Sequence, residues 1–244
     1  MTELLHMHDN YIREFDAIVT DIGDDFVVLD QTAFYPLGGG QSSDKGVLSK
    51  DKKSVDVPLV KKGEGQIRHF IDGTVPFDVN EKVHGKLDWN WRYECMRFHT
   101  AQHLLSRYLQ LEFGLETVGN MIKPGRSRAD YQPIEGFPKD MKRAVEVGVN
   151  EVISQNIEVE IRFMPRKEAI DFLEKRGYST RYLDMVPSTV TEFRVLIIGD
   201  YDAASCAGTH VRNTREIGTI HLGKSKNVGA GKRRIYFSLD NTSS

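Results

Sequence analysis

Apolar and polar positions alternate in short runs up to about residue 88. "FDAIVTDIGDDFVVLDQTAFYP" holds two runs rich in β-branched residues, split by Gly-Asp-Asp, which predicts a hairpin. "KGVLSKD", "VDVPLVKK", "IRHFIDG" and "EKVHGKLDW" follow, each bounded by Gly, Asp or Lys. Many short strands at this spacing predict a small β-barrel. The period then changes. In "DWNWRYECMRFHTAQHLLSRYLQLEFG", Met96, His99, His103 and Tyr108 recur at helical spacing, with Asp88 as N-cap and Gly114 as stop. "ETVGNMIKPGRSRADYQ" predicts a strand pair turning at Pro-Gly. "PKDMKRAVEVGVNEVISQN" and "PRKEAIDFLEKRG" predict two more helices, the first with Pro138 in its first turn and the second ending at Gly177. "IEVEIRFM" and "FRVLIIGDYD" read as strands. "EIGTIHLGKSKNVGAGKRRIYFSLD" reads as a closing hairpin with a long glycine- and lysine-rich loop. The fold class is α+β: a β-barrel domain over 1–88, then an α+β domain over 89–244.

Composition narrows the class. The 244 residues are 39% apolar and 28% charged, with a net charge of -2, so nucleic-acid binding would have to rest on a local basic patch. No apolar run approaches the ~20 residues of a membrane helix, and "MTELLHMHDN" lacks a secretory signal's basic start and apolar core. Two cysteines, Cys95 and Cys206, argue against a disulfide framework and make the cytoplasm the default compartment.

The helix carries the first candidate chemistry. Four helical residues turn through ~400°, so His99 and His103 share one face, one turn apart. Alone, that pair is as easily two surface histidines. "SCAGTH" adds Cys206 and His210, again four apart, with Gly208 between them to let a tight loop turn both side chains inward. A thiolate with three imidazoles suits one tetrahedral zinc ion. The competing reading is a buried Cys206 and a solvated His210. Four protein ligands favour a structural site, whereas a catalytic one keeps a position open. Thr100 follows His99 where the metalloprotease helix has its general-base Glu, so peptide hydrolysis of that type is disfavoured and an ester is the easier target. In "DQTAFYPLGGGQSSDKG", Gly38, Gly39 and Gly40 permit positive φ, and the flanking aromatic, proline and polar residues indicate a shaped loop.

"FYPLGGGQ", "MRFHTAQHLL" and "CAGTH", in this order, resemble the editing region of alanyl-tRNA synthetase and its free-standing relatives, the AlaX trans-editing proteins, in their medium-length form. "ETVGNMI", "CAGTHVRNTREIGTIHL" and "GKRRIYF" extend the resemblance over nearly the whole chain. It implies an aminoacyl-tRNA hydrolase that deacylates tRNA(Ala) mischarged with serine or glycine and spares alanyl-tRNA(Ala). A synthetase pocket for alanine rejects neither rival strongly, so a second site is needed. It also implies a zinc site of His99, His103, Cys206 and His210, with His99, His103 and Thr117 in the reaction and Thr117 contacting the seryl hydroxyl. Thr117 reads equally as a strand threonine. Gly38, Gly39, Gly40 and Gln41 would lie at the interface of the two domains near the pocket. For RNA, Lys224, Lys226, Lys232, Arg233 and Arg234 surround flexible glycines, and Arg92 and Arg97 sit on the histidine helix; a solvated hairpin explains the first set as well. Trp89, Trp91 and Tyr93 read as core. No obligate protein partner is indicated. The alternative is a tRNA-binding module whose zinc is structural and which turns nothing over.

Overall fold

A computed structural model describes residues 2–180, 183, 186–187 and 189–240. The chain divides into two compact units, Met1–Met96 and Arg97–Ser244. Among the described residues, no helix is long and apolar enough to cross a membrane.

The first unit contains β1 (Glu3–Leu4), β2 (Glu14–Ile22), β3 (Phe26–Leu29), β4 (Gln31–Thr32), β5 (Gly46–Lys50), β6 (Lys53–Val57), β7 (Leu59–Gly63), β8 (Gln66–Phe70) and β9 (Lys82–Leu87). Seven of these form one antiparallel sheet in the order β6-β5-β9-β2-β3-β8-β7. The expected hairpin across Gly23–Asp25 is present as the β2–β3 pair. Alternation does the folding: Phe15, Ala17 and Val19 of β2 and Val83 and Leu87 of β9 point inward and are buried. They join Leu29, Phe34, Leu48 and Val60 in one core. β6 and β7 stand at opposite ends of the strand order, yet only Pro58 separates them in the chain. Seven strands laid flat would set those ends about 29 Å apart, so the sheet curls until its ends meet. Among the described residues no ladder joins β6 to β7, so the expected barrel is seen as a curled sheet with an unpaired seam. Pro58, which lacks an N–H to donate, is the junction through which the chain passes from β6 to β7.

Asp88 caps the long helix α1 (Trp89–Phe113) by accepting the Trp91 N–H at 3.1 Å. Gly114 ends it in the left-handed conformation (φ +65°), with the Leu115 N–H returning 3.2 Å to the Leu109 carbonyl.

The second unit continues with β10 (Glu116–Met121), β11 (Ser127–Gln132), α2 (Lys139–Ser154), β12 (Val159–Pro165), α3 (Arg166–Lys175), β13 (Glu192–Ile198), β14 (Asp202–Ser205), β15 (Ile220–Gly229) and β16 (Lys232–Leu239). Pro138 is the cap residue of α2 rather than part of its first turn. The strands form a four-stranded sheet, β10-β11-β16-β15, and a three-stranded one, β12-β13-β14. The inner face of the larger sheet buries Ala129, Tyr131, Ile235 and Phe237, with the Phe98 ring of α1 5.8 Å from that of Phe237. The closing hairpin differs from expectation. Its lysine- and glycine-rich stretch is strand almost throughout, and only Ala230 and Gly231 lie between β15 and β16. Register shifts near Leu222–Ser225 and Asn227–Gly229 absorb the irregular pattern, and a sheet with a solvated face accepts lysines without needing a loop.

Candidate metal centre

Two elements bring the four candidate ligands together. α1 presents His99 and His103 one turn apart, with ring centroids 5.4 Å from each other. β14 leads into the segment Cys206–His210, which folds back so that the His210 ring lies 4.5 Å from His99 and 5.2 Å from His103. One ligand atom from each of the four residues lies within 4.8 Å of the other three. Cys206 Sγ is 3.3 Å from His210 Nε2 and 3.7 Å from His99 Nε2. Gly208, between Cys206 and His210, has no positive φ, and its N–H donates to Cys206 Sγ at 3.4 Å.

The imidazoles are held from behind. Asp202 Oδ2 on β14 lies 3.2 Å from His103 Nδ1. Thr100 Oγ1 lies 3.2 Å from His210 Nδ1 and accepts the Val211 N–H at 3.3 Å. With Nε2 of His210 turned to the sulfur, Nδ1 is the nitrogen left to carry a proton, and the buried Thr100 hydroxyl accepts it. The position where a metalloprotease helix carries its base therefore orients the His210 ring of the cluster. Burial would raise the Cys206 thiol, but the charges of His99 and His210, with hydrogen bonds from His103 and His210, hold it well below its usual range. Burial would lower His103, but hydrogen bonds to Asp202 and Cys206 push it up. His210 is pushed down, chiefly by burial. A thiolate, one neutral imidazole and ring nitrogens fixed by outer partners are what a soft divalent cation needs. The cluster fits a metal ion.

The histidine face of α1 continues to Gln102 and Ser106, at three and seven residues from His99. Gln102 Nε2 donates to Ser106 Oγ at 2.6 Å, and Asn120 Nδ2 of β10 donates to Gln102 Oε1 at 3.3 Å. Thr117 Oγ1 also donates to Ser106 Oγ at 2.8 Å, and Tyr131 Oη lies 3.1 Å from the same oxygen. The expected site residue Thr117 is thus one member of a hydroxyl and amide network running off the histidine helix. Asp202, Thr100, Gln102 and Ser106 were missed as candidates. For Gln102 and Ser106 the available signal was their polar character on the same helical face as the histidines.

The other expected site residues part company. Arg92 and Arg97 do not face RNA. Arg92 is fully buried in the first unit, where its guanidinium is bonded to Asp44 and to the carbonyls of Asn10 and Ala33. Arg97 is 1% exposed and donates to the carbonyls of Glu216, Ile217 and Asp240. Both helix positions point inward, and each guanidinium donates to backbone carbonyls distant in sequence. Arg233 is a pin, donating to Ser225 Oγ at 3.2 Å and the Glu135 carbonyl at 2.7 Å. Lys232 is half-buried beside the hairpin turn, while Lys224 and Lys226 are exposed and Arg234 is half-buried. Gly38–Gln41 form a tight turn in the first unit. Gly39 and Gly40 have φ of +55° and +80°, and the Gln41 N–H donates to the Gly38 carbonyl at 2.9 Å. The loop is shaped as expected: Tyr35 Oη donates to the Gly38 carbonyl, Asp44 accepts the Tyr35 N–H, and Gln41 is buried.

The fold and cluster define a class. Residues 193–236, which include Cys206 and His210, match the family model described as the threonyl and alanyl tRNA synthetase second additional domain. Residues 2–91 match the one described as tRNA synthetases class II (A). Whole-chain relatives are more particular. The alanyl-tRNA editing protein AlaX-M of Saccharolobus solfataricus is 39% identical over 241 residues, covering 98% of this chain and 99% of that one. AlaX-M of Methanosarcina acetivorans is 38% identical over 247 residues, with the same coverage. The alanine–tRNA ligase of Thermococcus kodakarensis is 36% identical over 239 residues, 97% of this chain but only 26% of the ligase. The chain belongs to the AlaX-M family of alanyl-tRNA editing proteins.

Proposed function

We propose that this protein is a zinc-dependent aminoacyl-tRNA hydrolase that removes serine, and also glycine, from mischarged tRNA(Ala) and spares alanyl-tRNA(Ala). The observation that carries this reading is the cluster of one thiolate and three imidazoles with a hydroxyl network beginning on the same helix face. Family membership supplies the substrate class. The donor set suits zinc: Cys206, His99, His103 and His210 would hold it, with Asp202 and Thr100 fixing two of the rings. A zinc ion held there would supply positive charge that favours negative charge developing on the ester during hydrolysis.

The reaction breaks one C–O bond. Water adds its oxygen to the acyl carbon, the ribose oxygen leaves with a proton, and free serine and intact tRNA result. An alkoxide leaving group needs less help than an amine, which agrees with a helix that offers no carboxylate between its histidines. Thr117 has a defined task in discrimination. Its proton goes to Ser106, so its oxygen lone pairs remain to accept from a seryl hydroxyl. Alanine leaves that acceptor unmet, at about 1–3 kcal/mol. The reading places the work in the cytoplasm, where tRNA is charged.

The test is serine release from seryl-tRNA(Ala) at catalytic protein concentration, beside alanyl-tRNA(Ala), with wild type and Thr117→Val. Rapid serine release with alanine spared, and a narrower gap in the variant, is expected. Saturable tRNA binding without release would establish the binding-module alternative instead.

A further inference from the structure

The four-stranded sheet has two unlike faces. Along β11 the buried Ser127, Ala129 and Tyr131 alternate with Arg128 and Asp130; along β16 the buried Ile235 and Phe237 alternate with Arg234 and Tyr236. Register sets Arg128 opposite Tyr236, and both Asp130 and Lys226 opposite Arg234. These side chains therefore share the outer face. Lys224 joins them through the β15 irregularity, its ammonium 5.7 Å from the centre of the Tyr236 ring, and Arg126 approaches the same ring at 5.1 Å. Partial desolvation would raise the Tyr236 phenol, yet a hydrogen bond with Arg234 and the charges of Lys226 and Arg128 hold it below its usual range.

Five cations thus crowd one tyrosine, and the one carboxylate among them is occupied. Asp130 takes Arg234 through both oxygens, at 2.8 and 2.9 Å, and has Arg128 at 3.5 Å. Among the described residues Arg126, Lys224 and Lys226 form no ion pair, in a chain whose overall charge is -2. Packing like charges on one exposed face disfavours the folded state slightly unless an anion completes it. The face is flat, and same-side cations two residues apart on a strand sit about 7 Å apart, close to the step between phosphates on an extended nucleic-acid strand. A ring among cations on a sheet is suited to a backbone whose bases are unpaired.

We propose that this outer sheet face, centred on Tyr236, is where the tRNA's sugar–phosphate backbone docks, with Tyr236 as the stacking platform for an unpaired nucleotide. The inference rests on the tRNA reading above, names Arg126, Arg128 and Tyr236 in addition to the hairpin lysines, and leaves out Arg233, whose side chain serves the opposite side of the hairpin.

The test uses the full chain and uncharged tRNA(Ala) transcript, with affinity measured across a salt series. Arg126→Ala/Lys224→Ala/Lys226→Ala should weaken binding about tenfold or more and reduce the steepness of the log–log salt dependence by about two to three. Tyr236→Phe should bind as wild type, and Tyr236→Ala should bind roughly tenfold more weakly. A control triple elsewhere, Lys139→Ala/Arg143→Ala/Arg162→Ala, removes the same charge. Wild-type affinity and salt slope in the first triple, or equal weakening in the control, would overturn the proposal. Tight wild-type tRNA binding without serine release would sink the hydrolase reading and leave this one standing. Serine release with an unaffected first triple would do the reverse.

Discussion

Replacing Arg92 with methionine separates two roles that a helix arginine can have. The Arg92 and Asp44 side chains are both 0% exposed. Arg92 Nε donates to both Asp44 oxygens at 2.9 Å, and its two terminal nitrogens reach the Asn10 carbonyl at 2.8 Å and the Ala33 carbonyl at 2.5 Å. Methionine fills most of the volume but leaves Asp44 with the Tyr35 N–H, at 2.6 Å, and no cation. Removing one partner of a buried pair costs about 3–5 kcal/mol, because the remaining charge is uncompensated. The chain's two tryptophans, Trp89 and Trp91, both lie in the first unit, so intrinsic fluorescence follows that unit's unfolding selectively. With a urea slope of about 1–3 kcal/mol per molar, the Trp-monitored midpoint should fall by roughly 2 M. Arg92→Met/Asp44→Asn should recover about half of this, since the carboxamide still accepts from Tyr35 and no charge is stranded. A midpoint within 0.5 M or so of wild type would refute the burial argument. Lost tRNA affinity at unchanged stability would restore Arg92 to the RNA surface.

Acid should weaken the same unit through His69. Burial holds its imidazole at about 4 rather than 6.5, with Nε2 2.8 Å from Thr32 Oγ1. The unfolded chain therefore binds the extra proton between those values. Stability present above pH 6.5 is lost as pH falls through 4, about 3 kcal/mol in all. His69→Gln should flatten that part of the Trp-monitored stability–pH curve, and a variant curve parallel to wild type would contradict it. Asp202→Asn should lower zinc affinity about 10–100-fold in competition with a chromophoric chelator, because His103 loses the partner that fixes its ring. An unchanged affinity would mean that His103 is oriented by something else.

What the residue pattern revealed, and what it hid, follows one physical divide. Local signals were legible: Asp88 and Gly114 bound α1 as their capping chemistry predicts, and the spacing of His99 with His103 and of Cys206 with His210 indicated the cluster. Partners distant in sequence were not. Arg92 looks like any basic helix residue until Asp44, 48 positions away, is brought beside it. Asp202 becomes a histidine partner only once β14 is laid against α1. The lysines after Leu222 imitate a flexible loop because glycine and lysine are common in loops. What makes them strand is the apolar inner face of β16, to which β15 must register.

The seam between β6 and β7 bears on how this protein behaves in crowded solution. Unpaired strand edges invite pairing with other chains. Here both are five-residue strands, they carry Lys53, Lys61 and Lys62 toward solvent, and Pro58 breaks the run between them. Leu37, leading into the glycine turn, bonds to the Val60 carbonyl at 2.8 Å and occupies part of the β7 edge. Charge, shortness and cover together discourage the sheet from extending into a neighbour. Substituting the three exposed lysines with valine should leave the core untouched and increase self-association, read as a larger average mass in size-exclusion chromatography with light scattering; an unchanged mass would show that the edges are guarded by something other than charge.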